Sequence, residues 1–425
     1  RLLVTLACPV MCAGVLESLG INVRFLQKLA PQRSVLEALT ASGITCVDAC
    51  RVWCTVGVLL LHTSWFNDWR HKDNIRWALV PFRNVNASFA TLSVFLCLRN
   101  HRGGPKSWWH FVQRVVSRFL RVAPVLWFGL YLQVVIPLRL RGWVRHRCLQ
   151  PPTLLSTLFF VHEITFLRAS PCGNIDIFES LFHVELCLWM MASTFGDWLG
   201  TCALILWPMS VILDTLHPET GTTLSIGLHH RFAELLPPAL ATAAVHCGLK
   251  GKMRSKRLWL WGASSCLFTS WIIFYCEETN FGPLNRWRKA EFQLNKQYSF
   301  LLRLWGQSVI LPQTVALVIM LNLFDHGGFS QNVGVLRPFL ALCSRLCPHV
   351  LVLHSIFFEW VNDYGRFSFD GSGFGFIGEF VAKVLCCFLL AFPVHVLIQV
   401  PANILAENFR TELTPSGPAV LHRNM

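Results

Sequence analysis

The chain has 425 residues, a mean hydropathy of +0.47, 53% hydrophobic residues and only 14% charged residues. Soluble domains carry about 25% charged residues, so this composition excludes an ordinary water-facing surface and favours a membrane protein. The net charge of +14 does not indicate nucleic-acid binding, because the basic residues form short clusters between apolar runs and no nucleic-acid motif accompanies them.

The apolar runs predict an all-α fold, a polytopic transmembrane helix bundle with about ten spans. A spanning helix needs about 20 mostly apolar residues. Residues 45–405 would form one membrane domain, after an N-terminal segment 1–44 that holds a truncated span and linker, and before a polar, disordered tail 406–425. The predicted spans are 49–66, 84–99, 122–138, 178–196, 199–215, 232–248, 258–276, 301–323, 345–361 and 379–400.

The run 153–167 is apolar but short and carries His162, which predicts an interfacial or re-entrant segment rather than a span. Cys148 and Cys172 lie in the polar sequence on either side of it and could pair if it faces an oxidising lumen. The basic loops 99–121 and 249–257 are expected on the cytosolic side.

Two ionisable residues of the first span share one helix face. Arg51 and His62 are eleven residues apart, which is about three helical turns or roughly 16 Å. Arg51 would then lie at the cytosolic edge and His62 deep in the membrane. An intramembrane histidine is either packed in a helix–helix contact or part of a functional cavity, and the spacing leaves both open.

Three arginines precede the third span at helical spacing, in the run RVVSRFLRVAP. Arg114, Arg118 and Arg121 form either ordinary positive-inside charge or a clamp for the phosphates of a nucleotide-like donor. In the fourth span, Glu185 is a carboxylate that could orient His62 for general-base work, or form a structural ion pair. Weaker candidates are Ser93 and His354, whose groups also suit helix–helix hydrogen bonds.

Taken in order, these motifs resemble the acyltransferase-3 family, specifically its invertebrate nose-resistant-to-fluoxetine-like branch. The resemblance covers roughly 45 to 405. It rests on the Arg51 and His62 pair, the span-two serine, the arginine run into Pro124, SLFHVEL around Glu185, the span-nine histidine and QVPANILAEN. The chain departs from the family pattern at four positions, namely Val94, Ser180, Leu351 and Gln399.

The resemblance implies a membrane O-acyltransferase that moves an acyl group from acyl-CoA to a hydroxyl of a lipid, sugar or small amphiphile. It implies catalytic roles for His62, Arg51 and Glu185, and donor or substrate binding by Arg114, Arg118, Arg121, Ser93 and His354. No bound cofactor and no metal are expected. The expected partners are membrane lipids and a small amphiphilic acceptor, with no nucleic acid.

Two other functions stay open at this point. The four departures fit a non-catalytic protein that keeps the fold and binds or transports lipids and drugs. A proton-coupled transporter is a third possibility, although it would want more acidic residues within the spans than Glu185 alone. The sequence leaves the choice between plasma membrane and endoplasmic reticulum open.

Overall fold

The computed structural model describes most of the region expected to form the membrane domain. Its described residues are helical and include no strand, which confirms the all-α prediction. The predicted N-terminal segment 1–44 lies outside the described residues. Described are 45–66, 85–100, 108–136, 148–162, 165, 172, 175–216, 230–249, 256–278, 297–326, 336–363 and 373–412.

Twelve α-helices occupy these ranges. The first six are α1 (Thr45–Phe66), α2 (Val85–Asn100), α3 (Trp108–Val135), α4 (Pro151–Leu158), α5 (Ile175–Phe195) and α6 (Leu199–Leu216). The remaining six are α7 (His230–Leu249), α8 (Lys256–Glu278), α9 (Gln297–His326), α10 (Leu336–Asp363), α11 (Gly373–Val394) and α12 (Val400–Glu412). A short π-helical segment, His395–Gln399, joins α11 to α12.

Six helical stretches of the described residues are long and apolar enough to cross a membrane, and they indicate an integral membrane protein. Each of the ten predicted spans lies along most of its length on a described helix. Two of them share the stretch Ile177–Leu213, in which Gly196 has a φ of +49° and separates α5 from α6. The six are Cys46–Thr63, Trp108–Gln133, Ile177–Leu213, Phe232–Leu249, Arg337–Asn362 and Gly375–Glu407.

Helices α1 and α10 run side by side in the same direction. Near the first turns of α1, Ser344 Oγ donates a hydrogen bond to Asp48 Oδ1 at 2.7 Å. Further along both helices, the ring of His354 contacts the ring of His62. The two helices are therefore parallel, and both begin on the same side of the bundle.

Helix α3 packs closely on α10 because one residue of α3 lacks a side chain. A Cβ atom at Gly129 would lie 2.1 Å from Val352 Cγ1, so only glycine fits at this crossing. Without a hydrophobic driving force between helices in lipid, such small residues favour association by letting helices approach closely. This contact holds α3, which bears Arg118, against α10, which bears His354.

The segment 148–162 lies against α3 and α5 rather than forming a span. A disulfide joins Cys148, at the start of the segment, to Cys172, three residues before α5, which confirms the pairing that the sequence allowed. After the short helix α4, the buried Phe160 adopts a φ of 57° and packs its ring against Phe119 and Phe182. The prediction of an interfacial or re-entrant segment concerns the position of the membrane and stays a prediction.

The predicted start of the disordered tail at 406 is wrong, because α12 continues to Glu412. Small residues explain the extension. Ala402 and Ala406 are buried, and Ser117 of α3 donates a hydrogen bond to the Ala406 carbonyl oxygen at 3.3 Å. Packing on α3 therefore stabilises a helix that its polar composition does not favour. The residues 413–425 lie outside the described part of the chain.

Candidate functional site

Three helices meet at an ion pair inside the bundle. Arg118 of α3 donates from Nε to Glu185 Oε2 and from Nη2 to Glu185 Oε1, both at 2.8 Å. Ser93 of α2 donates from Oγ to the same Oε1 of Glu185. This two-pronged geometry fixes the guanidinium plane as well as its position, since each carboxylate oxygen accepts one N–H.

The carboxylate of this pair is buried, whereas the guanidinium is partly open. The side chain of Glu185 is 6% exposed and that of Arg118 is 39% exposed. Arg51 of α1 lies within electrostatic range of both residues and of Asp48. Four residues predicted from the sequence, from four helices, therefore form one polar cluster, which we call the arginine cluster: Arg51, Arg118, Glu185 and Ser93.

The two other arginines of the predicted clamp flank this cluster. Arg114, one turn before Arg118, lies within electrostatic range of Cys97 on α2. Arg121 Nη2 lies 3.8 Å from Glu407 Oε1 of α12, and the Arg121 carbonyl oxygen accepts a hydrogen bond from Gln399 Nε2 at 2.8 Å. Gln399, one of the departures from the family pattern, thus contacts the backbone of the arginine run.

The second group of predicted residues is an imidazole pair. His62 Nδ1 and His354 Nε2 are 3.2 Å apart, and the ring centroids are 4.6 Å apart at an interplanar angle of 64°. His354 is buried at 1% exposure, and its Nδ1 contacts the carbonyl oxygen of Leu351 at 2.8 Å. Two candidates that the sequence treated separately are therefore direct neighbours.

The sequence predicted that Glu185 orients His62, and the structure shows different partners for Glu185. The hydrogen bonds of Glu185 go to Ser93 and Arg118, and its charge acts on Arg51. Arg51 and His62 are separated by about 16 Å of continuous helix. Glu185 therefore belongs to the arginine cluster, and the imidazole that contacts His62 comes from α10.

Several buried polar residues escaped sequence reasoning. Lys383 and Glu379 of α11 are 0% and 2% exposed, and their Nζ and Oε1 atoms are 2.5 Å apart. The Lys383 Nζ lies 4.7 Å from the centroid of the Phe358 ring of α10. Two ionisable residues at spacing four inside the apolar run 379–400 are a signal that could have located this pair.

A further imidazole pair lies at the junction of α11 and α12. His349 of α10 and His395 of the π-helical segment are both buried, with ring centroids 4.9 Å apart. Within the described residues, no group of three or more histidine, cysteine or acidic side chains is placed to hold a metal ion.

We compared the chain with models of known protein families, with curated proteins and with solved structures, and nothing matches in any of the three comparisons. The arrangement offers fixed positive charge at one level of α1, and an imidazole pair three turns away on the same helix.

Proposed function

We propose that this chain is a multi-pass membrane O-acyltransferase that moves an acyl group from acyl-CoA to a hydroxyl of a lipid, sugar or small amphiphile. The observation that carries the proposal is the contact between His62 of α1 and His354 of α10. Helix α1 also bears Arg51. An imidazole held by a second imidazole suits proton transfer, and an arginine cluster suits the phosphates of the acyl donor.

In the proposed reaction, the acceptor oxygen attacks the thioester carbonyl of the donor while the ring of His62 takes the hydroxyl proton. The carbon–sulfur bond breaks, the CoA sulfur leaves, and the proton passes from His62 to that sulfur. Arg51 and Arg118 bind donor phosphates, with Arg114 and Arg121 at the edge of that site. Glu185 and Ser93 hold the guanidinium of Arg118 in place.

The proposal includes ten spans, with the starts of α1 and α10 on the cytosolic side. The parallel arrangement of these two helices supports it, because it requires an odd number of crossings between them. Counting α2, α3, α5, α6, α7, α8 and α9 as single crossings gives seven. In that topology the disulfide of Cys148 and Cys172 faces the opposite, oxidising side.

The test is acyl transfer by purified protein in lipid vesicles, with radiolabelled acyl-CoA and a mixture of hydroxyl-bearing lipids and sugars. His62→Ala should lower the rate by roughly 10²- to 10⁴-fold, the usual contribution of a general base. His349→Ala is the matched control, since it removes a buried imidazole from the neighbouring helix and should retain the rate. Full activity of His62→Ala would exclude the mechanism.

A second candidate is a non-catalytic protein that binds or transports lipids or amphiphilic drugs. One observation favours it: two N–H groups of Arg118 already donate hydrogen bonds to the carboxylate of Glu185. Under this function, the wild-type protein would bind acyl-CoA or amphiphiles without releasing free CoA. Binding would then survive in His62→Ala, and turnover would be absent from both proteins.

A further inference from the structure

The hydrogen bonds around His354 specify which ring nitrogens carry protons. The partner of His354 Nδ1 is the carbonyl oxygen of Leu351, at 2.8 Å. A carbonyl oxygen only accepts hydrogen bonds, so Nδ1 of His354 must carry the hydrogen. In an uncharged His354, Nε2 is then the nitrogen without a hydrogen and serves as an acceptor.

The tautomer of His62 follows from that of His354. The atom that faces Nε2 of His354 is Nδ1 of His62, at 3.2 Å. Because Nε2 accepts, Nδ1 of His62 must donate, and the lone pair of His62 is on its Nε2 atom. The carbonyl oxygen of Leu351 thus determines the tautomer of a histidine on another helix.

We infer that His354 is a positioning residue, which holds His62 as the Nδ1–H tautomer so that His62 Nε2 is its basic atom. The role in proton transfer rests on the proposed function, whereas the tautomer does not. When Nε2 takes the acceptor's proton, His62 becomes an imidazolium and keeps donating from Nδ1 to His354. No proton moves to His354 in this step.

The surroundings of His354 favour a single orientation of its ring. The ring meets Phe358 edge-on, with centroids 5.8 Å apart and an interplanar angle of 89°. Phe358 is buried at 0% exposure and has the ammonium of Lys383 against its ring. A cation over an aromatic face stabilises that ring in place. His354 is thus buttressed from the side of α11 as well as by its own helix.

The experiment reads the tautomer directly, by nitrogen-15 NMR of histidine-labelled protein in lipid nanodiscs. His62→Gln assigns the His62 signals by their loss. In the wild type, the spectrum should show His62 with a protonated Nδ1 and an unprotonated Nε2. A wild-type His62 in the Nε2–H form would overturn the inference without any variant.

Two substitutions of His354 separate the acceptor from the bulk of the ring. His354→Gln keeps an oxygen that accepts from His62 and should retain the Nδ1–H tautomer, whereas His354→Phe keeps a ring without an acceptor and should lose it. His349→Phe, the same change one and a half turns earlier on α10, should leave the His62 signals unchanged. An unchanged His62 tautomer in folded His354→Phe would overturn the inference.

Acyl transfer provides the second measurement. His354→Phe should lower the rate roughly 10- to 100-fold, by analogy with the loss of a hydrogen-bond partner that orients a metal-ligating histidine. His354→Gln should restore most of that loss. The NMR result and the acyl-transfer result can differ. If the NMR spectra show the expected tautomers but neither the wild type nor any variant transfers acyl groups, the proposed enzymatic function is wrong and the positioning of His62 by His354 stands. A wild-type rate that His354→Phe leaves intact would overturn the positioning role.

Discussion

Arg118 and Glu185 are joined by two parallel hydrogen bonds of 2.8 Å, and their separation of 67 positions in the chain makes this a contact between helices. The pair connects α3 to α5, and Ser93 adds α2 through the same carboxylate. Removing one partner of a buried, hydrogen-bonded pair costs more than removing both, since the remaining charge is left without compensation.

We therefore expect Arg118→Ala and Glu185→Ala to be less than additive. Arg118→Ala should be the more damaging single variant, because it leaves the buried carboxylate of Glu185 without its partner, and the coupling between the two substitutions should be about 1 kcal/mol or more. The partial exposure of the Arg118 side chain limits this value, because solvent screens its charge. Thermal unfolding in detergent of the wild type, both single variants and the double variant measures it. Strict additivity would show that the pair contributes nothing.

The parallel direction of α1 and α10 predicts a topology that can be measured. Epitope tags inserted before Thr45 and before Leu336 should be accessible from the same side of the membrane, because both helices begin there. A tag inserted after Val135 should be accessible from the other side under the proposed ten spans. Antibody binding before and after selective permeabilisation distinguishes the sides. Opposite sides for the first two tags would contradict the helix arrangement.

The disulfide joins Cys148 to Cys172, which are 24 positions apart in the sequence, and so closes a loop. In the chain-entropy description, a loop of this length stabilises the folded state by about 3 kcal/mol. Cys148→Ser, Cys172→Ser and the double variant should therefore lower the unfolding temperature by equal amounts. Unequal single effects would point to packing losses instead.

Cys387→Ser is a control for this prediction, since Cys387 is buried and has a free thiol. It should leave the disulfide intact in a gel-shift assay with a thiol-reactive polymer under denaturing conditions. Cys148 and Cys172 should react in the wild type only after reduction. Reaction of both thiols without reduction would contradict the pairing.

The crossing of α3 and α10 should be sensitive to one methyl group. Gly129→Ala places a Cβ atom against Val352, and overpacking of this kind typically costs about 1–3 kcal/mol. Val352→Ala should relieve the clash, so the double variant should be more stable than Gly129→Ala alone. Gly262→Ala on α8 meets no atom within 4 Å and should be neutral or slightly stabilising. Unfolding temperatures in detergent compare the wild type with these four variants.

Local patterns were enough to predict the helices and the arginine run. Apolar length located the helices, and a spacing of four and three located Arg114, Arg118 and Arg121 along one of them. The charged and imidazole candidates were also predictable as residues, because ionisable side chains inside apolar runs are costly and stand out. These signals require only neighbours within one helix.

The partners of those residues could not be predicted in the same way. His62 and His354 are 292 positions apart, and nothing in the periodicity of either helix indicates that α1 and α10 lie side by side. Glu185 was therefore paired with His62 of α1, whereas its hydrogen-bond partners lie on α2 and α3. The early start of the predicted tail has a similar cause, since only the contact with α3 stabilises the polar helix α12.

The straight run of α1 between Arg51 and His62 has a consequence for ligand size. Both residues lie on one uninterrupted helix, about 16 Å apart along its axis. A molecule that touches both at once must be at least that long and extended, so a compact solute would reach only one end. Under the proposed function, a ligand that bridges the two residues must therefore be elongated, with a charged head at one end and its reacting group at the other.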